Sequence, residues 1–105
     1  MKPITTYDDY KSTINSDEKI VIKFYAGWCP DCTVLNHFIP PILEKHEGTT
    51  FYELNRDEVE EAATENEVMG IPSLLVFKNG EKLAHLHSAD AKTPEQVEAF
   101  LNANL

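Results

Sequence analysis

One stretch in the first third of the chain constrains the fold more than any other. Residues 19–25 are rich in β-branched and aromatic side chains and predict a strand that is mostly apolar on both faces. A short turn leads to Cys29 and Cys32, which have two residues between them, and a helix-like stretch begins at Thr33. A Cys-x-x-Cys pair between a buried strand and a helix is typical of a redox motif.

Cys29 is predicted to be the attacking sulfur because it lies at the start of that helix. The first turn of a helix has unpaired backbone N–H groups and the positive end of the dipole, which favour a thiolate. Pro30 suits the first helical position, where its missing N–H costs nothing. Cys32 follows on the same helical face and can resolve a mixed disulfide. The carboxylate of Asp31 suits a helix start but opposes a thiolate beside it.

Two other uses of the cysteines compete with redox chemistry. A structural disulfide across so short a loop would constrain the unfolded chain little. A zinc site would need two more ligands, and the chain has no second cysteine pair. The histidines, which lack metal-ligand spacing, are His37, His46, His85 and His87. We therefore expect a redox pair and no metal.

Composition narrows the class of protein further. A length of 105 residues, 42% of them hydrophobic, predicts one domain spanning residues 1–105. The net charge of −9 argues against nucleic acids and anionic membranes as partners. No segment is long enough to span a membrane, no apolar signal region is present, and the motif pair are the only cysteines. We expect a cytoplasmic monomer.

The rest of the chain alternates between predicted helices and strands. Pro40 and Pro41 predict a kink or break near Ile39 in the helix after the cysteines. A short strand at residues 2–4 would give the order β-α-β-α-β-α-β-β-α, a mixed sheet with helices on both faces. The further predicted elements are a helix after Thr5 or Thr6, strands at 50–54, 73–77 and 82–88, a helix around 59–68, a hairpin turn at Asn79-Gly80 and a last helix capped at Thr93.

Several motifs taken in order resemble the thioredoxin family. The resemblance runs from about Tyr7 to Leu101. It rests on Phe24-Tyr25-Ala26-x-Trp28-Cys29-x-x-Cys32, Leu54-Asn55, Gly70-Ile71-Pro72-Ser73-Leu74, Phe77-Lys78-Asn79-Gly80-Glu81 and an amphipathic C-terminal helix. It implies the thioredoxin fold, an α/β three-layer sandwich around a central mixed sheet. Thioredoxins usually carry Gly-Pro between their cysteines, so the Pro-Asp pair here is similar to a related subgroup.

The resemblance also implies an activity, the thiol–disulfide exchange of a disulfide reductase. Cys29 would attack a substrate disulfide and Cys32 would release the product. The chain has no nucleotide- or flavin-binding motif, so no cofactor is expected, and a separate reductase or a low-molecular-weight thiol must supply electrons. Trp28 would offer the substrate an apolar platform. A cis Ile71–Pro72 bond would face the cysteines, and the Ile71 backbone could pair with an extended substrate.

Two other functions stay open. The first is a narrower reductase of small disulfides, persulfides or thiol adducts, which Asp31 and the glycine-free loop at residues 87–92 favour. The second is a non-catalytic module that binds a partner, against which both cysteines and Pro72 argue.

Lys23 departs from the family pattern. Thioredoxins usually carry a buried acid at this position and a lysine at the position of Glu53, so the two charges are exchanged here. A buried ammonium needs a partner, and Glu53 on the neighbouring predicted strand is the natural candidate. Such a pair would tune the ionisation of the cysteines. Alternatively, Lys23 reaches solvent along its aliphatic stem and Glu53 is unrelated.

Overall fold

The computed structural model describes residues 1–105, in which strands and helices alternate in the predicted order. Pro40 begins a new helix, so the predicted break near Ile39 is present. The elements are β1 (Lys2–Ile4), α1 (Tyr7–Ile14), β2 (Ile20–Tyr25), α2 (Pro30–Phe38), α3 (Pro40–Lys45), β3 (Thr50–Asn55), α4 (Glu60–Glu65), β4 (Ser73–Lys78), β5 (Glu81–Leu86), a 3-10 turn (Ser88–Asp90) and α5 (Pro94–Asn104).

The five strands form one mixed sheet in the order β1-β3-β2-β4-β5. Strand β2 runs parallel to β3 and antiparallel to β4, so it lies at the centre. Ile22 and Phe24 pack into a core with buried residues of α1 and α4, whereas Val21 packs on the opposite face with α2, α3 and α5. Helices therefore cover both faces of the sheet, and the predicted three-layer α/β fold is confirmed.

Local sequence signals set the element ends. Thr93 and Gln96 form a complete capping box at the start of α5. Asn79 and Gly80 both have positive φ, 53° and 81°, as a tight hairpin turn between β4 and β5 requires. No helix of the chain has the length and apolar character needed to cross a membrane.

Candidate active site

Cys29 lies where the central strand passes into α2. It is the N-cap residue of that helix, and Pro30 occupies the first turn. Its Sγ accepts a hydrogen bond from the backbone N–H of Cys32 at 3.1 Å and lies 3.7 Å from the Ile71 carbonyl oxygen. The Cys29 sulfur therefore lies at the N-terminus of α2 and accepts one of the backbone N–H groups that the first helical turn leaves free.

Cys32 lies deeper than Cys29, and its thiol is much harder to ionise. Burial, together with a hydrogen bond to the Cys29 sulfur, raises the pKa of Cys32 to about 12, and the positive charge of Lys23 opposes this rise. Both thiols are free, and Cys32 is only 2% exposed. The Cys32 thiol therefore keeps its proton at neutral pH and can donate it toward the Cys29 sulfur.

Lys23 is buried beneath the two cysteines. Its Nζ donates to Asn36 Oδ1 at 2.6 Å and lies 3.8 Å from Glu53 Oε1 on the neighbouring strand. Only 4% of the Lys23 side chain is exposed, so the alternative in which it reaches solvent is wrong. Burial lowers the pKa of Lys23, and the charges of Glu53 and Cys32 oppose that shift. Sequence analysis missed Asn36, whose only signal is its place one helical turn after Cys32.

A groove of about 320 Å³ opens beside Cys29. Trp28 forms one wall; its side chain is 65% exposed and its Nε1–H donates to Asp57 Oδ2 at 2.8 Å. Ile71 also lines the groove, and the Ile71–Pro72 bond is cis, as the resemblance implied. Pro72 itself is buried. The groove thus brings together an exposed aromatic surface, the Cys29 sulfur and a backbone segment able to pair with a substrate.

The carboxylate of Asp31, inside the motif, is paired with a lysine of a distant loop. Lys92 Nζ donates to Asp31 Oδ2 at 2.6 Å, and both side chains are about half exposed. Lys92 belongs to the glycine-free loop between β5 and α5, and sequence analysis missed this contact. The ion pair offsets part of the repulsion that Asp31 would exert on a thiolate.

The histidines lie away from the groove. His37 is exposed on α2. His85 and His87 stack with ring centroids 3.8 Å apart beside the exposed edge of β5. Burial, His87 and Lys82 lower the pKa of His85 to about 4.

The fold and the site together define a class of protein, the thiol–disulfide oxidoreductases with a Cys-x-x-Cys pair at a helix start. The family model for thioredoxin matches residues 2–103, so the chain belongs to the thioredoxin family. Thioredoxin-1 of Saccharomyces cerevisiae is 35% identical over 99 residues, 94% of this chain and 93% of that protein. The mitochondrial Thioredoxin-2 of Schizosaccharomyces pombe is 31% identical over 90 residues, 86% and 68% of the two chains.

A solved structure gives the same result for the fold. The thioredoxin of Malassezia sympodialis superposes with a TM-score of 0.81 at 28% identity, covering 98% of this chain and 89% of that one. The chain is therefore a thioredoxin-like thiol–disulfide oxidoreductase that acts on disulfide substrates.

Proposed function

We propose that residues 1–105 form one domain that reduces protein disulfides through Cys29 and Cys32. The observation that carries this proposal is the contrast between the two sulfurs. Both cysteines are buried, but the Cys29 sulfur accepts a helix N–H and borders the groove, whereas Cys32 does not line the groove and has a raised pKa. One sulfur is thus prepared for attack, while the other holds its proton until the mixed disulfide has formed.

The exchange proceeds in two balanced steps. The Cys29 thiolate attacks one sulfur of the substrate disulfide, forms a new S–S bond and expels the other substrate sulfur as a thiolate, which takes up a proton. Cys32 then attacks the Cys29 sulfur and forms the new S–S bond, the bond from Cys29 to the substrate breaks, and the proton of Cys32 passes to the leaving substrate sulfur, which departs as the second thiol. Two electrons pass to the substrate, and the chain is left with a Cys29–Cys32 disulfide. A separate reductase or a low-molecular-weight thiol reverses this oxidation.

The neighbouring residues assist the two sulfurs. We assign substrate contact to Trp28, Ile71 and Pro72, because the first two line the groove and the third fixes the direction of the Ile71 backbone. Lys23 supports the second step, since its charge lowers the pKa of Cys32 against the effect of burial. Glu53 holds that ammonium below the motif.

A narrower reductase of small disulfides is the second candidate, and the Asp31–Lys92 pair favours it. This pair joins the motif to the loop after β5 and places two charges at the mouth of the site. A large protein substrate must accommodate or displace them, whereas a small disulfide can pass beside them.

A turnover assay separates these functions. The reduced chain is recycled by thioredoxin reductase with NADPH, or by glutathione, and given insulin or cystine as substrate. We expect insulin reduction by wild type, none by Cys29→Ser, and a trapped mixed disulfide with Cys32→Ser. Turnover of cystine alone selects the narrower reductase, and no turnover with either donor selects a binding module. We place the protein in the cytoplasm, and since one relative is mitochondrial, cell fractionation is the direct check.

A further inference from the structure

The chain contains a single arginine, Arg56, which directly follows β3. It lines the groove beside Cys29 and also a second cavity of about 290 Å³ next to α4. Val68 and Met69 are shared by the two cavities as well. Arg56 therefore lies where the space beside the reactive sulfur continues along the surface, within reach of a substrate that extends beyond its disulfide.

The guanidinium of Arg56 has no partner in the protein. It forms none of the three ion pairs, and its buried Nε makes no hydrogen bond. The chain has 18 acidic residues and only nine lysine and arginine residues, yet none of the acids pairs with Arg56. An arginine is always charged, and a buried N–H without a partner costs free energy. The Arg56 guanidinium is therefore available to pair with an anionic group of a bound substrate.

The acids around the groove do not neutralise Arg56. Asp31 is paired with Lys92, and Asp57 accepts the indole N–H of Trp28. Glu67 lines the second cavity but makes no ion pair with Arg56. Of the two charged residues that line the groove, Asp31 is paired and Arg56 is not.

We propose that Arg56 binds a carboxylate of the disulfide substrate and thereby gives the enzyme a preference for acidic disulfides. Guanidinium matches a carboxylate with two parallel hydrogen bonds, which fixes position as well as charge. The carboxylate is an aspartate or glutamate side chain near the target cysteine, or the acid group of a small disulfide. This inference rests on the proposed reduction through Cys29 and adds the determinant of its substrate choice.

The test compares substrates that differ only in the charge of their acid groups. Two disulfide-bonded peptides of one sequence carry Glu or Gln beside the cysteine, and a second set uses 3,3′-dithiodipropionic acid and its diamide. Reduction by the reduced chain is followed through Trp28, the only tryptophan. We expect wild type to prefer the acidic member in kcat/KM by about tenfold, as for one charge-assisted contact. The set with the larger preference identifies the source of the carboxylate.

Three variants assign the preference to Arg56. Arg56→Gln should remove the preference by lowering kcat/KM for the acidic member toward that for the neutral member, since only the acidic member loses a charged contact. Arg56→Lys should keep part of it, because the charge remains and the paired geometry does not. Lys11→Gln is the matched control: it makes the same change of charge on α1, outside the groove, and should keep the full preference.

The outcomes are distinct. Equal rates for the acidic and neutral members with wild type overturn the inference while leaving the proposed function intact. An equal loss for both members in Arg56→Gln overturns it too, because that result indicates a structural role. Each variant is judged by the ratio of its kcat/KM values for the acidic and the neutral member. An unfolded fraction of the protein lowers both values equally, so it does not change this ratio. A wild-type chain that reduces neither member overturns the proposed function, and this inference with it.

Discussion

The buried lysine beneath the motif supports a quantitative prediction about stability. Lys23 Nζ and Glu53 Oε1 are 3.8 Å apart, which corresponds to an attraction of about 4 kcal/mol at an effective dielectric of about 20. The Glu53 side chain is 29% exposed, so solvent screening reduces this figure, and we expect a coupling of about 1–2 kcal/mol. Glu53→Gln should destabilise the fold because it leaves the ammonium with Asn36 alone. Lys23→Met should cost less, since Glu53 can turn to water.

A double-mutant cycle measures the coupling. Urea unfolding of wild type, Lys23→Met, Glu53→Gln and the double variant gives four free energies of unfolding, whose combination isolates the pair. The exposed pair Lys45–Glu98 offers a control cycle that should give no more than about 0.5 kcal/mol. A Lys23–Glu53 coupling as small as that of the control refutes the reasoning.

The same pair gives a pH dependence with a definite sign. Burial lowers the pKa of Lys23 from 10.5, so the unfolded chain binds more protons than the folded one between the lowered pKa and 10.5. This contribution to stability is therefore fully present above 10.5 and is lost as the pH falls through the folded pKa. Other groups titrate in this range, so the quantity to measure is the difference between wild type and Lys23→Met. The free energy of unfolding of wild type should rise relative to that of Lys23→Met as the pH rises toward 10.5.

Three further predictions concern the site and its surroundings. Iodoacetamide at neutral pH should label Cys29 far faster than Cys32, whose pKa is about 12, and equal rates by peptide mapping would contradict the assignment. Burial is the main cause that lowers the pKa of His85 to about 4, so the unfolded chain binds a proton more readily than the folded chain between pH 6.5 and 4. The free energy of unfolding should therefore fall by up to about 1 kcal/mol across this range, and His85→Gln should abolish that loss in acid unfolding curves. Gly70→Ala would place a Cβ 2.2 Å from Ser88 Oγ. The Ser88 hydroxyl can rotate away and its Cβ would lie 3.2 Å off, so the cost in urea unfolding should be about 0.5–1 kcal/mol; Ser88→Gly should restore part of this, and an unchanged midpoint would contradict the contact.

Local patterns in the sequence were enough to predict the order of the strands and helices, and the family resemblance supplied the three-layer fold. The buried strand, the two prolines after Phe38 and the capping box at Thr93 each depend on neighbours within a few residues, and each is present. Lys23 and Glu53 could be paired in advance because adjacent strands bring them into register.

Contacts made by loops could not be predicted in this way. Asp31 and Lys92 are 61 residues apart, and their meeting depends on the path of the loop after β5. Arg56 gave no signal because a lone arginine after a strand is ordinary on a surface. Only the structure shows that it borders the groove and lacks a partner.

The position of each charge, rather than the net charge of −9, decides the electrostatic field at the cysteines. Asp31 is the acid nearest to Cys29 in sequence, but it is exposed and paired with Lys92, so water and an opposite charge both weaken its effect. Lys23 is buried, and its charge acts on Cys32 through a medium that screens it much less. The buried cation therefore opposes the rise that burial imposes on the pKa of Cys32, whereas the pairing of Asp31 with Lys92 limits the effect of the one acid inside the redox motif. A strongly acidic chain can thus still hold a positive charge near its buried thiol, because the depth and the pairing of each charged group matter more than the sum of the charges.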